Sequence, residues 1–329
     1  MIYDWLDNTY KEIKTVTKTT PKTEIYTGVG SVYEVRLGKC EDLIKDIKDE
    51  SIHAVISDPP FKVAINKDWD LALPSKEFFN ELYRVLKPGG HLVFFGQSSR
   101  IPEVCAILNQ TDFQFRDMIT WNHPPFFPKG YKTDDKTFRS KVRTGYTPIF
   151  IYRKKLNANE GQNWEKYRTN LLAVDDCRMP YKGDHSSIVK KFERTGKKHQ
   201  QSQKGSNTYG DKRGEGWIPD SRGCVPSNAV YCSRPTKDER TINNQIENTH
   251  ETLKPIALMV FLTKLFTNSS DQKILDPWAG SGTGGMAARY VGRPYIGFEM
   301  DSKHVEVAKF RIKHVFDLDT THFNKLTLV

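Results

Sequence analysis

Asp276-Pro277-Trp278-Ala279-Gly280-Ser281-Gly282-Thr283 is the stretch on which the fold turns. The apolar run before it, Lys273–Leu275, reads as a strand, and Thr283–Val291 after it reads as a helix. Glycines at 280 and 282 let the backbone turn tightly and come close to a ligand. The helix that opens near Thr283 offers unpaired N–H groups. A further strand, Tyr295–Phe298, leads into Glu299, which follows Asp276 by 299 − 276 = 23 residues. That is the spacing at which an acid meets ribose hydroxyls in a strand–turn–helix nucleotide site.

Gly280-x-Gly282-x-x-Gly285 also fits the dinucleotide fingerprint, so a nicotinamide cofactor competes here. Asp276 separates the two readings. A carboxylate directly before the turn repels a pyrophosphate, but it suits a cofactor with a cationic amino-acid end. S-adenosylmethionine carries an ammonium and a sulfonium and no phosphate.

A second stretch, Ser57-Asp58-Pro59-Pro60-Phe61, follows the short apolar strand Ile52–Ile56. Pro59 and Pro60 lack N–H groups and have fixed φ, so the turn is stiff and nearby carbonyls are left to accept. The Asp58 carboxylate and a backbone carbonyl can hold both hydrogens of an exocyclic amine on adenine or cytosine. This draws the nitrogen toward tetrahedral geometry and frees its lone pair, while Phe61 stacks on the ring. Asp-Pro-Pro is also ordinary turn chemistry; its place at the carboxyl end of a strand favours a ligand site.

Outward from these two stretches, strand-like and helix-like segments alternate. Val32–Leu37 reads as a strand and Glu41–Ile47 as a helix. Ser75–Leu86 reads as an amphipathic helix stopped by Lys87-Pro88-Gly89-Gly90. His91–Phe95 follows as a strand, Ile101–Leu108 as a helix, and Phe115–Trp121 and Thr147–Tyr152 as strands. Leu253–Phe266 and Ser302–Val315 read as helices. Alternation of this kind predicts an α/β fold with a parallel, doubly wound sheet.

Five units are expected: a polar extension at 1–23, one half of the main domain at 24–155, an insertion at 156–247, the second half at 248–317 and a tail at 318–329. Within the insertion, Ser186–Gly216 holds eight basic residues, among them Lys190, Lys191, Lys197 and Lys198, against three acids. It reads as a basic arm for nucleic acid, with a solvated loop as the plain alternative. Tyr209 within it, and Trp217, Tyr231, Arg222, Asn228 and Arg234 near it, carry groups for stacking or base-edge contacts.

Composition agrees with this partner. The 329 residues carry a formal net charge of +10, compatible with a phosphate backbone. Five scattered cysteines form no C-x-x-C pair, which argues against zinc and against a disulfide framework; reduced thiols fit a cytoplasm. No apolar run reaches membrane-span length, and Met1–Thr20 lacks the apolar core of a secretory signal.

Taken together, the chain resembles the permuted beta-class amino-methylating DNA methyltransferases, in which Asp-Pro-Pro-aromatic comes first, then a target-recognition region, then the cofactor motif. The likeness runs from about Val32 to Val315 apart from the basic insertion. It includes Leu82-Tyr83-Arg84-Val85-Leu86-Lys87-Pro88-Gly89-Gly90, Trp121-Asn122 and His250-Glu251-Thr252-Leu253-Lys254-Pro255. The resemblance implies a Rossmann-like S-adenosylmethionine-dependent methyltransferase sheet with an inserted target-recognition region. By position it implies Asp58, Pro59 and Phe61 at the target base, and Asp276, Gly280, Gly282, Thr283, Glu299, Thr252 and Lys254 at the cofactor. Lys190, Lys191, Lys197, Lys198, Arg222 and Arg234 are expected on DNA, and no metal is expected.

The chain departs from the family pattern in three places. Lys39 follows Gly38 where an acid is frequent, leaving Cys40 or Glu41 to substitute. Phe61 stands where tyrosine is commoner. The cofactor turn has Trp278-Ala279 and Gly284 where phenylalanine and a second threonine are usual. The expected activity is methylation of adenine N6 in double-stranded DNA, since Asp-Pro-Pro leans to adenine and Ser-Pro-Pro to cytosine in this family. Cytosine N4 and RNA adenine are the alternatives, although the RNA enzymes usually end the motif in tryptophan. An oxidoreductase would not explain Asp58-Pro59-Pro60, and an inactive DNA-binding module would not keep both motifs. The resemblance allows a homodimer and a cognate restriction endonuclease as protein partners.

Overall fold

The computed structural model describes residues 23–28, 31–61, 73–124, 131–132, 137–138, 144–180, 190, 194, 220 and 222–328. The lead-in, most of the basic arm, Tyr209 and Trp217 lie outside them. In chain order the strands are β1 (Thr23–Gly28), β2 (Ser31–Leu37), β3 (Ile52–Ser57), β4 (Leu86–Phe95), β5 (Gln114–Asn122), β6 (Tyr131–Lys132), β7 (Thr137–Phe138), β8 (Tyr146–Arg153), β9 (Ala229–Tyr231), β10 (Ile274–Asp276), β11 (Tyr295–Glu299) and β12 (Thr327–Leu328). Ten of them form one sheet in the order β1-β2-β11-β10-β3-β4-β8-β5-β9-β12.

The central strands β2, β11, β10, β3 and β4 are parallel throughout. The expectation of a parallel sheet fails at β8, which lies antiparallel between β4 and β5. β8 returns beside β5, the strand that precedes it in this sheet, and an antiparallel return of this kind needs no helical crossover. β9, inside the segment expected as an insertion, joins the same sheet beside β5, and β12 from the tail closes its edge.

All six residues of β3 are buried, as a strand covered on both faces requires. Its side chains alternate. Ala54 and Ile56 face a core built with the helices Ile256–Phe266, Thr283–Val291 and Ser302–Lys313; Val55 faces a second core with the helices Lys76–Val85 and Ile101–Leu108. The sheet is thus wound on both sides.

Helix Lys76–Val85 starts where the Ser75 side chain accepts from the Phe78 amide at 3.2 Å, and it buries Phe78, Phe79, Leu82 and Val85. The glycine stop ends it at Val85, but β4 begins at once at Leu86 and carries Lys87–Gly90 as an irregular stretch before pairing resumes at His91. Helix Ile256–Phe266 begins three residues later than its apolar pattern, because Pro255 occupies the N-cap.

The site is positioned by β3 and β10. They are parallel neighbours, with Ile274 opposite Ala54 and Leu275 opposite Val55. From β3 the sheet proceeds to β4 on one side, and from β10 to β11 on the other. This is a topological switch point, and a crevice opens there beyond the carboxyl ends of the strands.

Candidate active site

Both quoted motifs emerge at that switch point. Asp276 ends β10 at 3% exposure, and Ser57 ends β3 fully buried. The Ser57 hydroxyl donates to Asp276 Oδ1 and accepts from the Trp278 amide at 3.3 Å. The Tyr295 hydroxyl donates to Asp276 Oδ2 at 3.0 Å. Burial raises the Asp276 carboxyl to about 6, with the Ser57 and Tyr295 bonds working in the opposite direction. Asp276 therefore ties the two motifs together; both its oxygens are engaged within the protein. Neither Ser57 nor Tyr295 stood out as a partner in the sequence, because neither lies near Asp276 along the chain.

The turn after Asp276 has little room. Gly280 has φ +53° and Gly282 φ +84°, the left-handed region that favours glycine. A Cβ on Gly280 would come within 2.8 Å of His250 Nε2, and one on Gly282 within 2.8 Å of the Ala308 backbone. The turn is held from beneath by Arg311, which is fully buried. Its guanidinium donates to Ser281 O at 2.6 Å, Ser281 Oγ at 3.1 Å, Thr283 Oγ1 at 3.2 Å and Glu239 O at 2.9 Å. Thr283 thus turns its hydroxyl inward. Asn248 adds a bond to Ser281 Oγ at 3.1 Å. Arg311 was missed in the sequence: it lies on a helix among other basic residues, and nothing in its spacing marks it as buried.

Glu299 closes β11 beside the turn. Its Oε1 accepts from the Asp301 amide at 2.9 Å, and desolvation raises its carboxyl above the ordinary range. Asp301 in turn caps helix Ser302–Lys313. His250 packs on His304, with ring centroids 4.8 Å apart, and burial lowers its imidazole to about 3, so it stays neutral. Among the described residues, a glycine cradle with no Cβ, a half-buried carboxylate on the neighbouring strand and a turn without a phosphate-sized cluster of cations fit an adenosine cofactor with an amino-acid end. Cys40, considered as a substitute acid, is buried, and burial pushes its thiol up.

On the other side of the switch point, the Asp58 carboxylate is ion-paired with Lys254. The Lys254 ammonium also lies 5.0 Å from the centre of the Phe95 ring at the end of β4. Lys254 therefore stands on the Asp-Pro-Pro side of the site, and Thr252 is linked to it through its carbonyl at 3.5 Å. Pro59 is buried, while Phe61 is half-buried against the core.

Of the residues expected on DNA, Lys190 is exposed, and Lys191, Lys197 and Lys198 lie outside the described residues. Arg222 is exposed but pairs with Asp220 at 2.8 Å. Arg234 donates to the Pro124 carbonyl at 2.7 Å, just beyond the carboxyl end of β5. Among the described residues no cluster of ligands could hold a metal, and no helix is long and apolar enough to cross a membrane.

The chain as a whole has counterparts among known proteins. An N6/N4 methyltransferase model described as DNA methylase matches residues 52–310. The Type II methyltransferase M1.MboII of Moraxella bovis is 25% identical over 279 residues, spanning 82% of this chain and 93% of the relative. M.HpaI of Haemophilus parainfluenzae is 26% identical over 293 residues, spanning 83% of this chain and 72% of the relative. The solved structure of PvuII DNA methyltransferase (cytosine-N4-specific) overlays with a TM-score of 0.53 at 16% identity, covering 89% of this chain and 93% of that one. The last likeness is one of fold, a Rossmann-like methyltransferase sheet. With the family model matching most of its length, the chain belongs to the N6/N4 DNA methylases.

Proposed function

We propose that the protein transfers a methyl group from S-adenosylmethionine to the N6 amino group of adenine within a specific sequence of double-stranded DNA. The observation that carries this reading is the placement of Asp58 and the Gly280–Thr283 turn on adjacent strand ends, tied by Ser57 and Asp276. Two ligands bound there would meet at the switch point.

When bound, S-adenosylmethionine supplies an electrophilic methyl group on a sulfonium. The Gly280–Gly282 turn, Glu299 and the Thr252 segment would hold it. The target base must leave the stack to reach Asp58, which costs a few kcal/mol. Phe61 offsets part of this by stacking, worth about 1–3 kcal/mol. Asp58 accepts one amino hydrogen and a nearby backbone carbonyl the other, so the nitrogen lone pair turns from the ring toward the incoming methyl. Asp58 acts as an acceptor, and the amino nitrogen loses its proton only once methylated. Lys254, ion-paired with Asp58, orients its carboxylate. No covalent enzyme intermediate is required, consistent with buried thiols at Cys40, Cys177 and Cys232.

Adenine is favoured over cytosine by Asp58, where serine would favour cytosine. The basic arm, with Lys190, Lys191, Lys197 and Lys198, and the Arg222–Arg234 region supply phosphate and base-edge contacts. A second copy of the chain and a restriction endonuclease cutting the same sequence are the protein partners this reading allows, in the cytoplasm of a bacterial or phage-infected host cell. The test is Asp58→Ala assayed with labelled cofactor. Methyl transfer should be abolished while calorimetric binding of S-adenosylmethionine persists. Near-normal transfer by this variant would remove Asp58 from the chemistry.

A further inference from the structure

We propose that a cavity of about 280 Å³ beside the carboxyl end of β9 seats one phosphate of the DNA strand; this deepens, and rests on, the reading of the protein as a DNA methyltransferase. Cys232, Ser233 and Arg234 form one wall, and Glu239, His322 and Lys325 form the other. β9 is parallel to β5, and β5 and β4 are both antiparallel to β8. The carboxyl end of β9 therefore opens on the same edge of the sheet as Asp58 at the end of β3.

The wall is rigid. The Cys232 amide donates to Asn122 O at 3.1 Å, Trp121 Nε1 donates to Cys232 O at 2.9 Å, and Arg234 donates to Pro124 O at 2.7 Å. Arg234 and Lys254 both act electrostatically on buried His123, adding to the burial that lowers its imidazole.

Charge selects the occupant. Arg234 and Lys325 are exposed cations at the mouth. The acid among the described lining residues, Glu239, is buried and already engaged: its Oε2 accepts from the Ile256 amide at 3.1 Å, and its Oε1 faces His322 Nδ1 at 3.4 Å. Among the described residues the lining includes no phenylalanine, tyrosine or tryptophan. An unstacked base would want such a ring, whereas a phosphodiester needs only cations and hydroxyls.

The experiment is a titration of a labelled mixed-sequence duplex against the full-length protein at several salt concentrations. Each phosphate contact contributes about 0.9 to the slope of log affinity against log salt. Lys325→Gln and Arg234→Gln should each weaken binding and flatten that slope, by up to about 0.9 for one lost contact. Lys325→Arg should keep the parent slope, and all three should bind S-adenosylmethionine as the parent does. A parent-like slope in both glutamine variants would overturn the phosphate seat and leave the methyltransferase reading intact. A parent protein that binds no duplex at any salt would overturn both.

Discussion

Ser57 and Asp276, 219 residues apart in the chain, share a buried hydrogen bond that joins the strand end bearing Asp-Pro-Pro to the strand end bearing the glycine turn. Ser57 also accepts from the Trp278 amide, so one hydroxyl organises both motifs. Ser57→Ala leaves a buried carboxylate one donor short, at a cost of about 1–3 kcal/mol. Urea unfolding should show that loss, and calorimetry should show weaker binding of S-adenosylmethionine. Parent-like values in both would mean that the bond does not couple the motifs.

The Lys254–Asp58 ion pair makes a different prediction from a cofactor-contacting lysine. Lys254→Met should lower the methyl-transfer rate about tenfold, equivalent to about 1.4 kcal/mol, with little change in cofactor affinity. A variant that loses cofactor affinity and keeps its maximal rate would return Lys254 to the cofactor side.

Asp276 gives the fold a pH signature. Its carboxyl is raised to about 6 by burial, against an ordinary value near 4 when unfolded. Between these values the folded state binds more protons than the unfolded one, so this group's contribution to stability falls as pH rises from about 4 to about 6. The shift corresponds to about 3 kcal/mol. Melts of the parent and Asp276→Asn across this range should converge at low pH relative to their separation at pH 7, with the asparagine variant showing the flatter profile. Parallel curves would contradict the assignment.

Arg311 is a cation placed beneath a helix N-terminus, where the helix dipole is unfavourable to it. Its bonds to Ser281 and Thr283 offset this by fixing the turn. Arg311→Met should destabilise the protein by about 3 kcal/mol, the order expected when a buried polar network is broken, and weaken S-adenosylmethionine binding. Arg311→Lys should recover part of the affinity. Unchanged cofactor affinity in a folded Arg311→Met protein would show that the turn holds its shape alone.

Much of this was legible in the sequence because strand–turn–helix units are local. The apolar run Ile52–Ile56, the glycine stop after Val85 and the strand ends at Asp276 and Glu299 can each be read within a short window. The antiparallel course of β8 was not legible, since strand direction depends on what lies between two strands and not on their own residues. The segment around Lys254 points to the cofactor, and its contact with Asp58, 196 residues away, is visible only in the fold. Ser57, Tyr295 and Arg311 act through side chains that meet only after folding, and no periodicity announces a buried polar contact. The contribution of β9 to the main sheet was hidden for a related reason: three residues, Ala229–Tyr231, are too few to show an alternating pattern.

The central claim is the chemistry at Asp58, and the product identifies it most directly. DNA incubated with the protein and S-adenosylmethionine, digested to nucleosides and analysed by mass spectrometry, should contain N6-methyladenine, and Asp58→Ala should yield none. N4-methylcytosine in its place would keep the fold and the cofactor while contradicting the target base; DNA left unmethylated by the parent protein would contradict the account as a whole.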